Sequence, residues 1–119
     1  MSRAVFDRDG HTVSWLGDDG CLYDLSGMPI GYLALDQLFS YAGRFLAWFD
    51  SGWFLDGAGR AGGFLHGVED DAMLPLRYLP PAGAPSFHLR PAKEPRGPAP
   101  ERPARKAAWC SWDAIISSG

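Results

Sequence analysis

The stretch LYDLSGMPIGYL, residues 22–33, decides the fold. Two short apolar runs flank Asp24-Leu25-Ser26-Gly27. An aspartate three residues ahead of a glycine is a hairpin signal. Its carboxylate accepts from the backbone N–H groups ahead of it and starts a type I turn. The glycine then takes the φ > 0 position that closes the turn with a bulge. The segment reads as strand, turn, strand.

Outward from it, the same pattern recurs without gaps in VFDRDGHTVSWL (5–16), LFSYAGRFLAWF (38–49) and FLDGAGRAGGFL (54–65). The aligned glycines Gly10, Gly27, Gly43 and Gly59 lie 17, 16 and 16 residues apart. Three residues before each stands Asp7, Asp24, Ser40 or Asp56. Four after each stands a small residue: Ser14, Gly31, Ala47, Gly63. Five after stands an aromatic: Trp15, Tyr32, Trp48, Phe64. Six after stands a large apolar one: Leu16, Leu33, Phe49, Leu65. Five columns in register across four copies define a repeat. The segments GDDG, LDQ, DSG and HGVED between or after the units are turn-type, so the chain can meander.

The fold class is therefore all-β. Four pseudo-repeated β-hairpins, about eight short strands, stand around a pseudo-four-fold axis as a small closed barrel or a radial flower. Either solution removes the open edges that eight strands would otherwise present. A propeller needs about 40 residues per blade, far more than these units have. Strict alternation puts Val13, Ile30 and Leu46 on the face of the aromatic column, with Gly62 breaking the pattern. The small column, on the opposite face, suggests close approach of four strands around the axis, the alternative being that small residues there relieve crowding beneath the aromatics.

The composition changes near residue 80. Eight of ten prolines lie between Pro80 and Pro103, while twelve of fifteen glycines come earlier. Residues 1–80 hold five basic and eleven acidic side chains, and residues 81–119 hold six and three. An acidic head thus precedes a basic tail, within a net charge of −3. The reading divides the chain into a four-repeat β domain (1–80), a Pro-rich basic linker (81–106) and a Trp-containing end (107–119) that docks on the domain. Proline fixes φ and lacks a donor, so the linker is read as an extended spacer. In the end segment Trp109, Trp112 and Ile116 recur at i, i+3 and i+7, one stripe of a short helix.

LYDLSGMPIGYL, then GRFLAWFDSGWFLDGAGRAGGF, a Pro-rich stretch and an ending with Trp109 and Trp112 resemble the four-fold beta flower domain, a family of bacterial proteins. The resemblance covers residues 5–80 well and the tail loosely. It implies an all-β fold of four related hairpins. The family carries no established activity, so the resemblance transfers no functional residue.

Candidate chemistry is sparse. Asp7, Asp24 and Asp56 have turn duties, and Asp18, Asp19, Glu69, Asp70 and Asp71 sit in linkers without an EF-hand pattern. His11, His66 and His88 show no ligand spacing, so no metal is assigned. Cys21 and Cys110 form no metal motif, and Cys21 reads as a small buried apolar residue. GAGRAGG (57–63) lacks the Lys-Ser/Thr of a phosphate loop. No catalytic residue and no cofactor is assigned.

The remaining candidates are aromatic. Trp15, Tyr32, Trp48 and Phe64, with Trp53, Trp109 and Trp112, form the candidate ligand or partner surface, and Trp53 is expected to be the exposed one. The pI of about 5.4 lacks the footprint of a nucleic-acid binder. The N-terminus lacks a signal-peptide layout and no apolar run spans a bilayer, which points to the cytoplasm unless a specialised route exports the protein. The expected function is a non-enzymatic binding or protein-interaction module, forming a homo-oligomer or meeting a protein partner through its C-terminal segment. The alternative is a small-ligand-binding protein or weak enzyme with its site at the centre of the repeat.

Overall fold

The structure, a computed structural model, describes residues 2–68 and 84–117. Eight strands form one closed antiparallel barrel in sequence order: β1 (Arg3–Phe6), β2 (Thr12–Leu16), β3 (Cys21–Tyr23), β4 (Pro29–Ala34), β5 (Gln37–Phe39), β6 (Phe45–Asp50), β7 (Trp53–Leu55) and β8 (Ala61–Leu65). β8 returns to β1 through the pairs Val5 with Leu65 and Phe6 with Phe64. A six-residue helix, α1 (Trp112–Ser117), follows the Pro-rich stretch. The expected all-β architecture of four hairpins is present. The barrel is closed, and four equivalent units build its wall.

The turn chemistry is that of the sequence. Asp24 Oδ1 accepts from the backbone N–H groups of Ser26 and Met28 at 2.9 Å each. Asp7 and Asp56 repeat this bond pair, and Ser40 Oγ accepts from Arg44 N–H at 3.1 Å. Gly10, Gly27, Gly43 and Gly59 close these turns with φ between 78° and 89°. The joints between units repeat as well: Leu33, Phe49 and Leu65 donate their N–H to the carbonyls of Gly20, Asp36 and Gly52.

One expectation about the faces is overturned. Val5 pairs with Ser14 but Phe6 with Thr12, which leaves Val13 as an extra residue. The same slip occurs at Ile30, Leu46 and Gly62. Each unit carries a bulge at which two residues oppose one, and the alternation restarts there. Val13, Ile30 and Leu46 therefore pack with the inner cluster of Val5, Leu22, Leu38 and Phe54, each of these four 0% exposed. Trp15, Trp48 and Phe64 belong to a separate outer cluster.

The small column has a pairwise cause. Ser14 Oγ donates to the carbonyl of Tyr23, the next unit's first strand. A Cβ on Gly31 would lie 2.8 Å from the carbonyl oxygen of Phe39, and one on Gly63 3.1 Å from that of Phe6. Close approach thus occurs between successive units around the ring.

Gly62 has a partner from elsewhere in the chain. A Cβ there would lie 2.1 Å from Ile115 Cδ1. Where units one to three place Val13, Ile30 and Leu46, unit four leaves a notch, and α1 fills it with Ile115. Trp112 lies over Gly63 and meets Phe54 edge-on, with ring centroids 5.3 Å apart. Ser111 caps the helix, its Oγ accepting from Ala114 N–H at 3.0 Å. The stripe is corrected accordingly: the helix starts at Trp112 and buries Trp112 and Ile115. Trp109 precedes it, in a parallel bridge to Ala61.

Candidate interaction surface

The outer face of the barrel is an aromatic belt. Tyr32 touches Phe39 and Tyr41, Phe39 meets Phe45, and Phe45 meets Trp48. Trp53 packs on Phe64, and Phe64 on Phe6. Trp15 belongs to the same outer cluster. The closed barrel turns this column outward because the bulge precedes it in every unit.

Across the belt lies the segment read as a spacer, and it is docked at regular steps. His88, Gly97 and Lys106 donate their backbone N–H to the carbonyls of Gly27, Gly43 and Gly59 at 2.9, 2.6 and 3.0 Å. The carbonyls of Ser86, Pro95 and Ala104 rest on the same three glycines, where a Cβ would meet them at 2.1, 2.0 and 2.2 Å. The arm therefore advances nine residues for every sixteen of the barrel. Nine residues of the arm thus carry it from one hairpin turn to the next.

Side chains follow the same beat. Lys93 Nζ lies 4.3 Å from the Tyr32 ring centre, and the guanidinium of Arg102 lies 5.5 Å from that of Trp48. Arg96 lies over Phe39 and Arg105 over Trp53, at 5.7 and 4.5 Å. One step earlier Phe87 stacks on Tyr23, with centroids 4.1 Å apart. Unit four has Leu55 where the others have Tyr23 and Phe39, so Arg105 uses the neighbouring ring of Trp53. A cation over a ring face is held by the ring quadrupole. Carboxylates of the head add ion pairs: Asp19 with Arg90, and Asp36 and Asp50 with Arg102.

The candidate residues separate into two groups. Trp15, Tyr32, Trp48, Phe64, Trp53 and Trp109 all lie on the belt, while Trp112 packs with the inner cluster. Trp53, expected to be exposed, is only 1% exposed, because Trp109 and Arg105 cover it. The arm's cations, which do the covering, are not among the candidate residues. Their signal was the repeat itself: Pro91, Lys93 and Arg96 return nine residues later as Pro100, Arg102 and Arg105.

Cys21 is buried, with Sγ 2.9 Å from the Tyr41 hydroxyl. Burial, and then the Cys21 thiol, push the Tyr23 hydroxyl up to about 12 and raise Tyr41 as well. Burial, reinforced by Asp56, pushes the Cys110 thiol to about 11, so it is protonated at neutral pH. Asp7, Asp9 and His11 bring three ligand atoms within 4.8 Å of one another, but Asp9 and His11 are exposed and Asp7 is occupied by its turn. Glu69, Asp70 and Asp71 lie outside the described residues. Among the described residues, clefts lie beside the first turn and Trp112, between Tyr32 and Lys93, and between Gly17 and Phe87. Among the described residues no helix is long and apolar enough to cross a membrane.

Fold and belt together define a class: a closed four-unit repeat barrel whose outer aromatic face is occupied by its own C-terminal arm. The chain belongs to the 4-fold beta flower protein family, which it matches over residues 3–115. The matched span ends at Ile115 and so takes in the arm as well as the barrel. Neither the curated proteins nor the solved structures contain a match to it.

Proposed function

We propose that this chain is a non-enzymatic protein-interaction module whose working surface is the outer aromatic belt. The observation that carries the reading is the arm seated on the belt. An extended basic segment is held there by turn carbonyls, ring faces and exposed ion pairs, the means by which aromatic grooves take extended peptides. Exposed ion pairs and cation–π contacts are worth up to about 1 kcal/mol each. An occupant held this way is removable without loss of the barrel.

Native-state hydrogen exchange tests this. The amides of His88, Gly97 and Lys106 should exchange at least about a hundredfold faster than those of Leu33, Phe49 and Leu65, because the arm opens while the barrel stays closed. If arm and barrel amides exchange together, through global unfolding only, the arm is a fixed part of the fold and the reading fails.

A further inference from the structure

The arm shows what the belt reads. It carries one hexapeptide twice in nine-residue steps: PAKEPR at 91–96 and PERPAR at 100–105. Both follow the pattern Pro-x-Lys/Arg-x-x-Arg. In each copy the third residue sits over the aromatic column, on Tyr32 or Trp48. In each the sixth sits over a ring of the next unit, Phe39 or Trp53. In each the fifth residue's carbonyl lies on the turn glycine, and the seventh residue's N–H bonds to that glycine's carbonyl. Lysine and arginine exchange at the third position, so the ring reads a cation and not a fork geometry. Two sites that share no residue hold the same hexapeptide through the same backbone contacts and a cation over a ring at the third and sixth positions, although the sixth residue meets a non-equivalent ring in the second copy.

Resting on the reading above, we propose that the belt is a recognition surface for extended, basic, proline-punctuated segments of another polypeptide, one Pro-x-Lys/Arg-x-x-Arg hexapeptide per hairpin unit at nine-residue spacing, with the arm as its internal competitor. Charge favours such a partner, since the head is net −6 and places Asp19, Asp36 and Asp50 along the arm's path. Proline lowers the entropy lost on binding because it pre-sets the extended conformation. The arm holds its place largely through its tether, which gives it an effective concentration on the order of millimolar. A free segment of the same chemistry gains access when the arm's cations are removed, or when it is present in excess.

The test uses the full chain and a labelled peptide, PAKEPRGPAPERPARK, in fluorescence anisotropy. A chain carrying Lys93→Ser, Arg96→Ser, Arg102→Ser and Arg105→Ser should bind this peptide at least about tenfold more tightly than the unaltered chain, as the internal competitor is weakened. A peptide with one alanine inserted between its GP pair should lose at least about tenfold, because its second hexapeptide falls out of step with the barrel. With the unaltered chain, excess peptide should speed exchange at Gly97 and Lys106, a readout that survives if the fourfold variant fails to fold. Equal binding of the inserted or a scrambled peptide overturns the proposal in favour of charge alone. Self-association that excess peptide does not dissolve also overturns it, with a second copy as the occupant. Arm amides that open freely while no peptide discriminates would sink this inference and leave the interaction module standing.

Discussion

At Asp24 and Asp56 a single carboxylate organises each turn. Burial alone would raise the Asp24 carboxyl. The Ser26 hydroxyl and the backbone N–H groups of Met28, Ser26 and Gly27 outweigh that and hold it below the usual range. For Asp56, Arg60 and Ala58 do the same against burial. A depressed carboxyl stabilises the fold above its unfolded pKa, roughly 4, and that contribution is lost as pH falls through the folded value. Acid titration of stability from pH 6 to pH 2 should therefore show a loss that Asp24→Asn with Asp56→Asn reduces, since Asn keeps the turn oxygen without titrating. Leu35 makes the opposite case: it sits at φ 58° and is 97% exposed. A non-glycine residue in this region costs about 1 kcal/mol or more, and Asn tolerates it better. Leu35→Asn should raise the thermal midpoint by a few degrees, as about 1 kcal/mol does in a small domain. The hairpin turns were legible in the sequence because the bonds that make them run from residue i to i+2 and i+4. The bulges were not, because an extra residue in one strand shows only against its partner. Val13, Ile30 and Leu46 fall on the wrong face for that reason.

At the scale of elements, the arm and the barrel keep two different beats, nine residues against sixteen. The docking is a matter of register. Inserting one alanine between Gly97 and Pro98 should leave the contacts of Lys93 and Arg96 intact and displace those of Arg102 and Arg105. Exchange at Lys106 should then accelerate while His88 keeps its protection; equal effects at both would mean that the arm is held by charge without register. Added salt should loosen the arm before the barrel, because its ion pairs are exposed and screened. The beat was present in the sequence as Pro91, Lys93 and Arg96 against Pro100, Arg102 and Arg105. It stayed hidden because a proline-rich composition reads as a spacer, and because a nine-residue period acquires meaning only once the arm's amides are seen bonded to successive turn glycines. Trp53 was misplaced for the same reason, since its cover comes from Trp109 and Arg105.

At the scale of the whole molecule, the repeat is imperfect and the tail completes it. Three units supply Val13, Ile30 and Leu46 to the inner cluster, and the fourth supplies Gly62 with Ile115 in its place. The fold is thus an eight-stranded wall closed by strands and finished by a helix some 50 residues further along. A double-mutant cycle at Gly62 and Ile115 measures this directly by denaturant unfolding of the full chain. Ile115→Ala alone should cost about 2–5 kcal/mol by emptying the notch. Gly62→Val alone should cost about 1–3 kcal/mol by forcing the helix out. Together, valine fills from the barrel the space that isoleucine vacates, and the pair should recover at least about 1 kcal/mol relative to the sum of the single losses. Losses that simply add would contradict the account, because they would show that Ile115 and Gly62 do not share one space.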